Sequence, residues 1–299
     1  MLQESDIIPY HISQPAGEKV LVLAPHPDDE TLGCGGTIRL LLESKKSVKV
    51  IFLTSGDKAD PSHKLSKILH RENSPIPTLL PHSGGFAEAK KEGEGELLNE
   101  SYITEYALLR EKEAVKALRV LGVADYEFMR FPDRELHKYL KSAHERLLHI
   151  IKEYLPDTIY SPSLIELNPD HRTAAALSLE IQRAGTENNR LERIIFYEVT
   201  TPLRPNMLID ITSAYSRKKR AIKKYRTQLR LIDYLRQAAS LNMLRSLTVK
   251  GPLYVEAFWC VNDGWKRQDL SDWLGYKRII NTEFQGNWEQ SVCGKNSTT

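Results

Sequence analysis

Residues 19–36 read KVLVLAPHPDDETLGCGG, and this stretch decides which fold the chain adopts. The apolar, β-branched run Lys19–Ala24 is typical of a strand that is buried on both faces. A short acidic segment follows, then a glycine-rich turn, and then TIRLLLESKK from Thr37, which is predicted to be helical. A buried strand that leads through a polar turn into a helix is the repeating unit of a parallel α/β sheet.

The same alternation continues along the chain. Further apolar runs predict strands at Val48–Thr54, Tyr126–Phe131, Asp157–Ser161, Arg193–Val199 and Tyr254–Cys260. Helices are predicted at Tyr106–Leu121, from a capping box of Ser142 and Glu145 up to Pro156, and at His171–Ala184. We therefore predict an α/β, Rossmann-like fold with a mostly parallel sheet, helices on both faces, and the active site at the carboxyl ends of the strands.

Two segments depart from this alternation. Lys58–Ser101 is polar and lacks clear periodicity, so we interpret it as either a disordered loop or a functional lid beside the active site. Ser216–Leu247 is basic and helix-prone, and we predict a surface helix that packs one face on the sheet. The predicted organisation is a single domain over residues 1–280, with a long insertion loop at about 58–101, and a polar tail over 281–299.

The composition is that of an ordinary globular enzyme. The chain has 42 basic and 39 acidic residues and a net charge of +3, so no nucleic-acid or membrane partner is inferred. No apolar run approaches the roughly 20 residues of a membrane span. Cys34, Cys260 and Cys293 are widely spaced, so we expect reduced thiols in a cytoplasmic protein. A homo-oligomeric state is left open.

The acidic segment after the first strand carries the first candidate functional residues. His26, Asp28, Asp29 and Glu30 crowd three carboxylates and one imidazole together, which is unfavourable unless a cation neutralises them. His26 and Asp29 can turn toward one ion, which leaves Asp28 beside it as a base. Carboxylates are, however, also favourable at a helix N-terminus. The glycines at Gly33–Gly36 suggest a dinucleotide-binding turn, but the G-x-G-x-x-G pattern is not completed and the acids would repel a pyrophosphate.

A second candidate cluster follows the strand predicted at Asp157–Ser161. Here the sequence Asn168-Pro169-Asp170-His171 leads into a helix. His171 would complete a zinc site of two histidines and one carboxylate, with an open position for water. Asp170 would orient a neighbouring imidazole. Alone, this motif would suit Asp170 as a helix cap and His171 as a surface residue of the first turn, but two such clusters at strand ends favour one joint site.

These motifs resemble those of a known family. PHPDDE after the first strand, with a later Pro-Asp-His before a helix, is similar to the PIG-L/LmbE-like superfamily of zinc-dependent N-deacetylases. Substrates of that family include N-acetylglucosaminyl-phosphatidylinositol, N-acetylglucosamine conjugates of thiol pathways, chitooligosaccharide units and some antibiotic sugars. The resemblance runs from about Lys19 to Val261. Weaker shared patterns are Thr54–Asp57, Arg110 with Glu113, Pro132-Asp133, and Lys224-Tyr225 with Gln228.

The resemblance implies roles for the two clusters. His26, Asp29 and His171 match the ligands of Zn²⁺, and another divalent metal such as Fe²⁺ suits the same donors. Asp28 matches the general base. Asp170 matches an acid that supports a histidine.

Two positions outside the clusters match residues that hold sugar hydroxyls or the polar end of the substrate. They are Arg110 and Asp133. The alternatives are a solvated helix residue for Arg110 and a turn former for Asp133.

One position departs from the family pattern. Asn168 stands where the family usually has a histidine, two residues before the aspartate of Pro-Asp-His. An asparagine can donate a hydrogen bond to an oxyanion but cannot carry a proton. The proton for the leaving amine would then come from Asp28 or from another histidine, such as His82 or His137.

The expected function is zinc-dependent removal of an acetyl group from a small N-acetylated amino sugar, with a conjugate of N-acetylglucosamine as the substrate type. Two alternatives stay open, and Asn168 motivates the first of them. One is a non-catalytic or weakly active metal-bound sugar-binding protein on the same fold. The other is a metallohydrolase for another amide or an ester.

Overall fold

The computed structural model describes residues 11–59, 105–184 and 191–261. The predicted lid lies almost wholly outside these ranges, as do the tail over 281–299, His82 and Cys293. Within them, each helix is too short or too polar to cross a lipid bilayer. Cys34 and Cys260 are free thiols.

The described residues contain seven strands in one sheet. They are β1 (Lys19–Ala24), β2 (Ser47–Thr54), β3 (Asp125–Phe131), β4 (Thr158–Pro162), β5 (Arg193–Tyr197), β6 (Met207–Asp210) and β7 (Val255–Val261). Their order across the sheet is β3-β2-β1-β4-β5-β7-β6. All neighbours from β3 to β5 pair in parallel, whereas β7 runs antiparallel to both β5 and β6. The prediction of a mostly parallel sheet is confirmed.

Helices cover both faces of this sheet. Those in the described ranges are α1 (Asp29–Glu43), α2 (Glu105–Leu121), α3 (Leu140–Tyr154), α4 (Pro169–Ala184), α5 (Tyr215–Ile222), α6 (Arg226–Leu229) and α7 (Tyr234–Ser246). The side chains of β1 alternate between two cores. Val20 and Val22 belong to a core that also contains residues of α1, α2 and α5. Leu21 and Leu23 belong to the opposite core, with residues of α3 and α4.

Helix α1 begins at Asp29, well before the expected start at Thr37. The glycine-rich stretch belongs to this helix, which is kinked at Cys34 (φ −137°, ψ 22°). A Cβ atom at Gly33 would lie 2.1 Å from Cδ2 of Tyr197 on β5, so only glycine allows the helix to approach the sheet this closely. Close packing of α1 on β5 therefore explains why position 33 is a glycine, although the sequence suggested a dinucleotide-binding turn.

The expected start of α3 is also wrong. A 3₁₀ turn at Leu136–Tyr139 leads directly into the helix at Leu140, so Ser142 lies inside the helix. The residue at the N-cap position is Tyr139, and its side chain makes no capping hydrogen bond. The predicted capping box is therefore absent from this helix start.

The basic segment forms three helices rather than one. The chain leaves helical geometry at Tyr225 (φ −80°, ψ 62°) and again at Asp233, whose side chain accepts a hydrogen bond from the backbone N–H of Arg236 and starts α7. Strand β6 was missed because it is a run of only four residues at the edge of the sheet. Strand β5 ends at Tyr197, earlier than expected.

Glu256 of β7 neutralises a buried charge beneath α1. Its side chain and that of Lys218 are both fully buried, and Nζ of Lys218 lies 2.7 Å from Oε1. The same carboxylate accepts hydrogen bonds from the N–H groups of Gly36 (2.9 Å) and Thr37 (2.8 Å), and from Oγ1 of Thr37 (2.6 Å). Because the kink interrupts α1 just before these amides, Glu256 acts as a cap for the second part of the helix.

Replacing Glu256 by alanine should destabilise the protein by about 3–5 kcal/mol, since the substitution leaves the buried ammonium of Lys218 without a partner. The matched control is Glu43→Ala, which breaks a partly exposed pair with Arg39. The control substitution should lower the free energy of unfolding by at most about 1 kcal/mol. Urea unfolding followed by circular dichroism gives both free energies, and equal losses would contradict this account of Glu256.

Candidate active site

The candidate functional residues meet in one cavity at the carboxyl edge of the sheet. His26, Asp28 and Asp29 follow β1, Asp133 follows β3, and His171 lies in the first turn of α4 after β4. The cavity is lined by His26, Asp28, Asp29, Leu32, Arg110, Asp133, Arg134, Asn168, His171, Val199, Thr200, Gln228, Leu231, Ile232 and Tyr234. Of the polar residues of the two sequence clusters and the two predicted substrate positions, all are in this set except Asp170 and Glu30, which are both fully buried.

Three donor atoms lie close together in this cavity. Nδ1 of His26 is 3.0 Å from Oδ2 of Asp29 and 3.2 Å from Nε2 of His171. Nε2 of His171 is 3.1 Å from the same Oδ2. In a tetrahedral zinc site with bond lengths near 2.0–2.1 Å, two ligand atoms are about 3.3 Å apart. The three atoms therefore have the spacing and the chemistry needed to hold one divalent ion.

The charges of this cluster favour protonated imidazoles. Burial alone would lower the pKa of His171, but the charge of Asp29 and the hydrogen bond to it raise that pKa to about 9. Burial would raise the pKa of Asp29, but the charge of His171 and hydrogen bonds from both imidazoles hold it far below its usual range. A divalent ion must therefore displace a proton to bind these nitrogens.

The other ring nitrogen of His26 is held by two carboxylates. Nε2 is 3.2 Å from Oδ1 of Asp133 and 3.3 Å from Oδ2 of Asp170. Asp170 also accepts hydrogen bonds of 2.6 and 3.1 Å from two backbone N–H groups of the loop after β3. Asp170 thus supports the imidazole of His26 rather than that of its chain neighbour His171. Carboxylates in this position orient a ligating histidine and raise its basicity. For Asp133, contact with a substrate stays a prediction.

Asn168 is the N-cap of α4. Its Oδ1 accepts a hydrogen bond of 2.9 Å from the backbone N–H of Asp170, so the alternative that Asp170 is the cap is wrong. Asn168 also lines the cavity, and the amide nitrogen of an asparagine can donate a hydrogen bond. His137 was named beside Asp28 and His82 as a possible proton donor to the leaving amine. It is exposed and does not line the cavity.

Asp28 and Arg110 face each other in the same cavity. Nη2 of Arg110 is 3.1 Å from Oδ2 of Asp28, and burial raises the pKa of Asp28 to about 7 although the charge of Arg110 opposes the rise. Arg110 is only 2% exposed, and it donates hydrogen bonds to the carbonyls of Gly56 (2.6 Å) and Pro27 (2.7 Å). It is therefore not a solvated helix residue. It braces the loop that carries Asp28, and its contact with a substrate stays a prediction.

Glu166 is a residue of the site that the sequence did not reveal. Its Oε2 lies 3.7 Å from Nδ1 of His171, which is an ion-pair distance but too long for a hydrogen bond. Its Oε1 accepts hydrogen bonds from the backbone N–H groups of Val199 (2.8 Å), Thr200 (3.1 Å) and Thr201 (3.2 Å). Glu166 thus joins His171 to the loop after β5. A single glutamate between a strand and a helix gives no signal of this role.

The fold and the site together define an α/β protein with a donor set of two histidines and one aspartate in a cavity at the strand ends. This is a donor set that catalytic metal sites use. Residues 21–182 match the model of the PIG-L family, described as GlcNAc-PI de-N-acetylase, and the chain belongs to this family.

Named relatives match most of the chain. A diacetylchitobiose deacetylase from Thermococcus kodakarensis is 25% identical over 237 residues, which are 73% of this chain and 74% of the relative. A probable N-acetyl-alpha-D-glucosaminyl L-malate deacetylase 2 from Bacillus cereus is 25% identical over 219 residues, or 70% and 83% of the two chains. The fold is similar to that of the N,N'-diacetylchitobiose deacetylase from Pyrococcus horikoshii, with a TM-score of 0.59 and 22% identity, over 86% of this chain and 89% of that one.

Zinc binding at pH 7 should release protons, because His171 with a pKa of about 9 is protonated there and a metal binds the neutral imidazole. The apparent affinity should therefore rise with pH up to about 9. His171→Gln should lower the affinity by more than about 100-fold, since even supporting residues contribute 10–100-fold. Calorimetry in two buffers with different ionisation enthalpies counts the protons. His149→Gln, at an exposed surface pair, is the control, and equal affinities of the two variants would refute the site.

Proposed function

We propose that this protein is a zinc-dependent hydrolase that removes an acetyl group from an N-acetylated amino sugar of the N-acetylglucosamine type. The observation that carries the proposal is the triangle formed by His26, Asp29 and His171, with the carboxylate of Asp28 in the same cavity. The deacetylase names of the relatives support the reaction type. Zn²⁺ is the proposed metal because it suits two nitrogen donors and one carboxylate, and Fe²⁺ is the alternative.

The proposed mechanism assigns the proton transfers to Asp28. His26, Asp29 and His171 would hold a divalent ion, which would lower the pKa of a water to about 7 and polarise the acetyl carbonyl. Asp28 takes a proton from the water while the water oxygen bonds to the carbonyl carbon. General-base catalysis of this kind raises the rate roughly 10²–10⁴-fold. The Nδ2 amide of Asn168 donates to the carbonyl oxygen as negative charge develops there. Asp28 then gives its proton to the nitrogen as the C–N bond breaks, which releases a free amine and acetic acid, and the acid ionises to acetate.

The environment of Asp28 suits a group that both takes and returns a proton. Its pKa of about 7, raised by burial, lies close to neutral pH, where a carboxyl group can change its protonation state at little cost. Asp28 can thus supply the proton that Asn168 cannot carry.

Asn168 also favours a second candidate, in which the protein binds a metal and an N-acetylated sugar but turns the sugar over slowly or not at all. The two candidates differ in product release. Purified protein of known zinc content would be incubated with N-acetylglucosamine, diacetylchitobiose and N-acetylglucosamine conjugates, and acetate would be measured. Sugar binding without acetate would favour the second candidate. Acetate or another acid released only from other amides or from esters would indicate a different metallohydrolase.

Replacing Asp28 by asparagine should leave zinc content unchanged and reduce the rate of acetate release by roughly 10²–10⁴, because the substitution removes the base and spares the triangle. Zinc is measured by elemental analysis and acetate by an enzyme-coupled assay. Full activity in Asp28→Asn would show that another group takes the proton.

Replacing Asn168 by serine should lower kcat by roughly 10²–10³, the usual cost of losing one oxyanion donor. Serine is chosen because its hydroxyl oxygen can still cap α4, so the melting temperature should stay close to that of the native protein. Asn168→Ala removes both the cap and the donor, and it should lower kcat and stability together. An unchanged kcat in the serine variant would exclude Asn168 from the stabilisation of the oxyanion.

A further inference from the structure

The backbone of Asp28 has an unusual conformation for a residue with a side chain. Its φ is 144° and its ψ is −27°. Positive φ values are uncommon outside glycine, and such residues persist only when their surroundings hold them in place. The carbonyl of Asp28 accepts hydrogen bonds from the N–H groups of Thr31 (3.1 Å) and Leu32 (2.9 Å), which begin α1. These bonds fix one side of the residue, and its own N–H needs a separate acceptor.

Glu30 supplies that acceptor. Its Oε2 accepts a hydrogen bond of 3.2 Å from the backbone N–H of Asp28. The other oxygen, Oε1, accepts from the hydroxyls of Thr31 and Tyr225. Glu30 is fully buried and is not among the residues that line the cavity, so its contacts are with the protein rather than with a substrate.

Tyr225 comes from a distant part of the chain and reaches Glu30 from the other side. It lies in the turn between α5 and α6 and is only 1% exposed. Its hydroxyl donates to a carboxylate that would otherwise be held only by residues of its own helix and loop. The contact therefore ties the loop that carries Asp28 to α5 and α6, which pack on the same core as α1.

We propose that Glu30 and Tyr225 are positioning residues that hold Asp28 at its positive φ, and so keep its carboxylate beside Arg110 and in the cavity. The proposal rests on the proposed function, in which Asp28 moves the proton. Without the acceptor at its N–H, Asp28 would relax to an ordinary backbone conformation and turn its carboxylate away. A displacement of about 1 Å at a reacting group can cost about 10²-fold in rate.

The test compares two replacements of Glu30 of similar size. Glu30→Met removes the acceptor, and it should lower kcat by about 10²-fold with KM and zinc content unchanged. Glu30→Gln should retain most of kcat, because its amide oxygen can accept from the N–H of Asp28 while its NH₂ group donates to the hydroxyls of Thr31 and Tyr225. A purely structural role would not separate kcat from KM and zinc content in this way. Equal loss of kcat in both variants, or native kcat in Glu30→Met, would overturn the proposal.

A second variant serves if Glu30→Met does not fold. Tyr225→Phe removes one donor to Glu30, and it should lower kcat with zinc content unchanged. The matched control is Tyr160→Phe, which also removes a buried hydroxyl, here one that donates to the carbonyl of Ala16 at 3.0 Å. The control should have native kcat. Equal kcat values for Tyr225→Phe and Tyr160→Phe would count against the proposal.

The experiment also separates this proposal from the proposed function. If the native protein releases no acetate from any substrate, the proposed function fails by itself. The positioning role is then decided by the crystal structure of Glu30→Met. A φ of Asp28 that leaves the positive range would support the role, and an unchanged φ would refute it.

Discussion

The adjacency of β1 and β4 is the constraint on which the candidate site depends. His26 and His171 are 145 positions apart in the chain, yet two of their ring nitrogens lie 3.2 Å from each other. They meet because β1 and β4 are parallel neighbours, with Val20 opposite Thr158. The chain runs outward from β1 through β2 to β3, and then crosses back to β4 and β5. The loops after β1 and β4 therefore flank the point where the order of the strands reverses, which is where open α/β sheets form their binding crevice.

Within that crevice, two adjacent aspartates have opposite electrostatic environments. Asp29 lies between two imidazoles, and their charges and hydrogen bonds keep its carboxylate ionised. Asp28 pairs with Arg110, but burial outweighs this charge and raises the pKa of Asp28 to about 7. Neighbouring carboxyl groups whose pKa values are driven apart can take different chemical roles. Here one is suited to bind a cation and the other to exchange a proton, although both come from the same turn of chain.

Much of this arrangement could be predicted from the sequence, and what could not depends on packing between distant segments. The strand at Lys19–Ala24 and the carboxyl-end rule indicated that His26, Asp29 and His171 meet at one edge of the sheet, because periodicity and chain direction are local properties. The three side chains do lie together there, and their role as metal ligands stays a prediction. The start of α1 was misplaced because the glycines looked like a turn, whereas Tyr197 on β5 is what excludes a side chain at Gly33. The partners of Glu166 and Glu30 are likewise set by the folded chain. No pattern near Glu30 indicates that Tyr225 will reach it.

Glu166 holds the loop after β5 mainly through the main chain of that loop, which leaves the side chains of the loop free to vary. Within this loop its partners are the three main-chain amides of Val199, Thr200 and Thr201 and one side chain, the hydroxyl of Thr200. The main chain of the loop is thus anchored largely independently of which side chains it carries. Substitutions in this wall of the cavity can reshape what fits inside while the support of His171 stays intact. The support of His171 therefore depends on the main chain of this loop, and side chains of the loop can vary without removing that support.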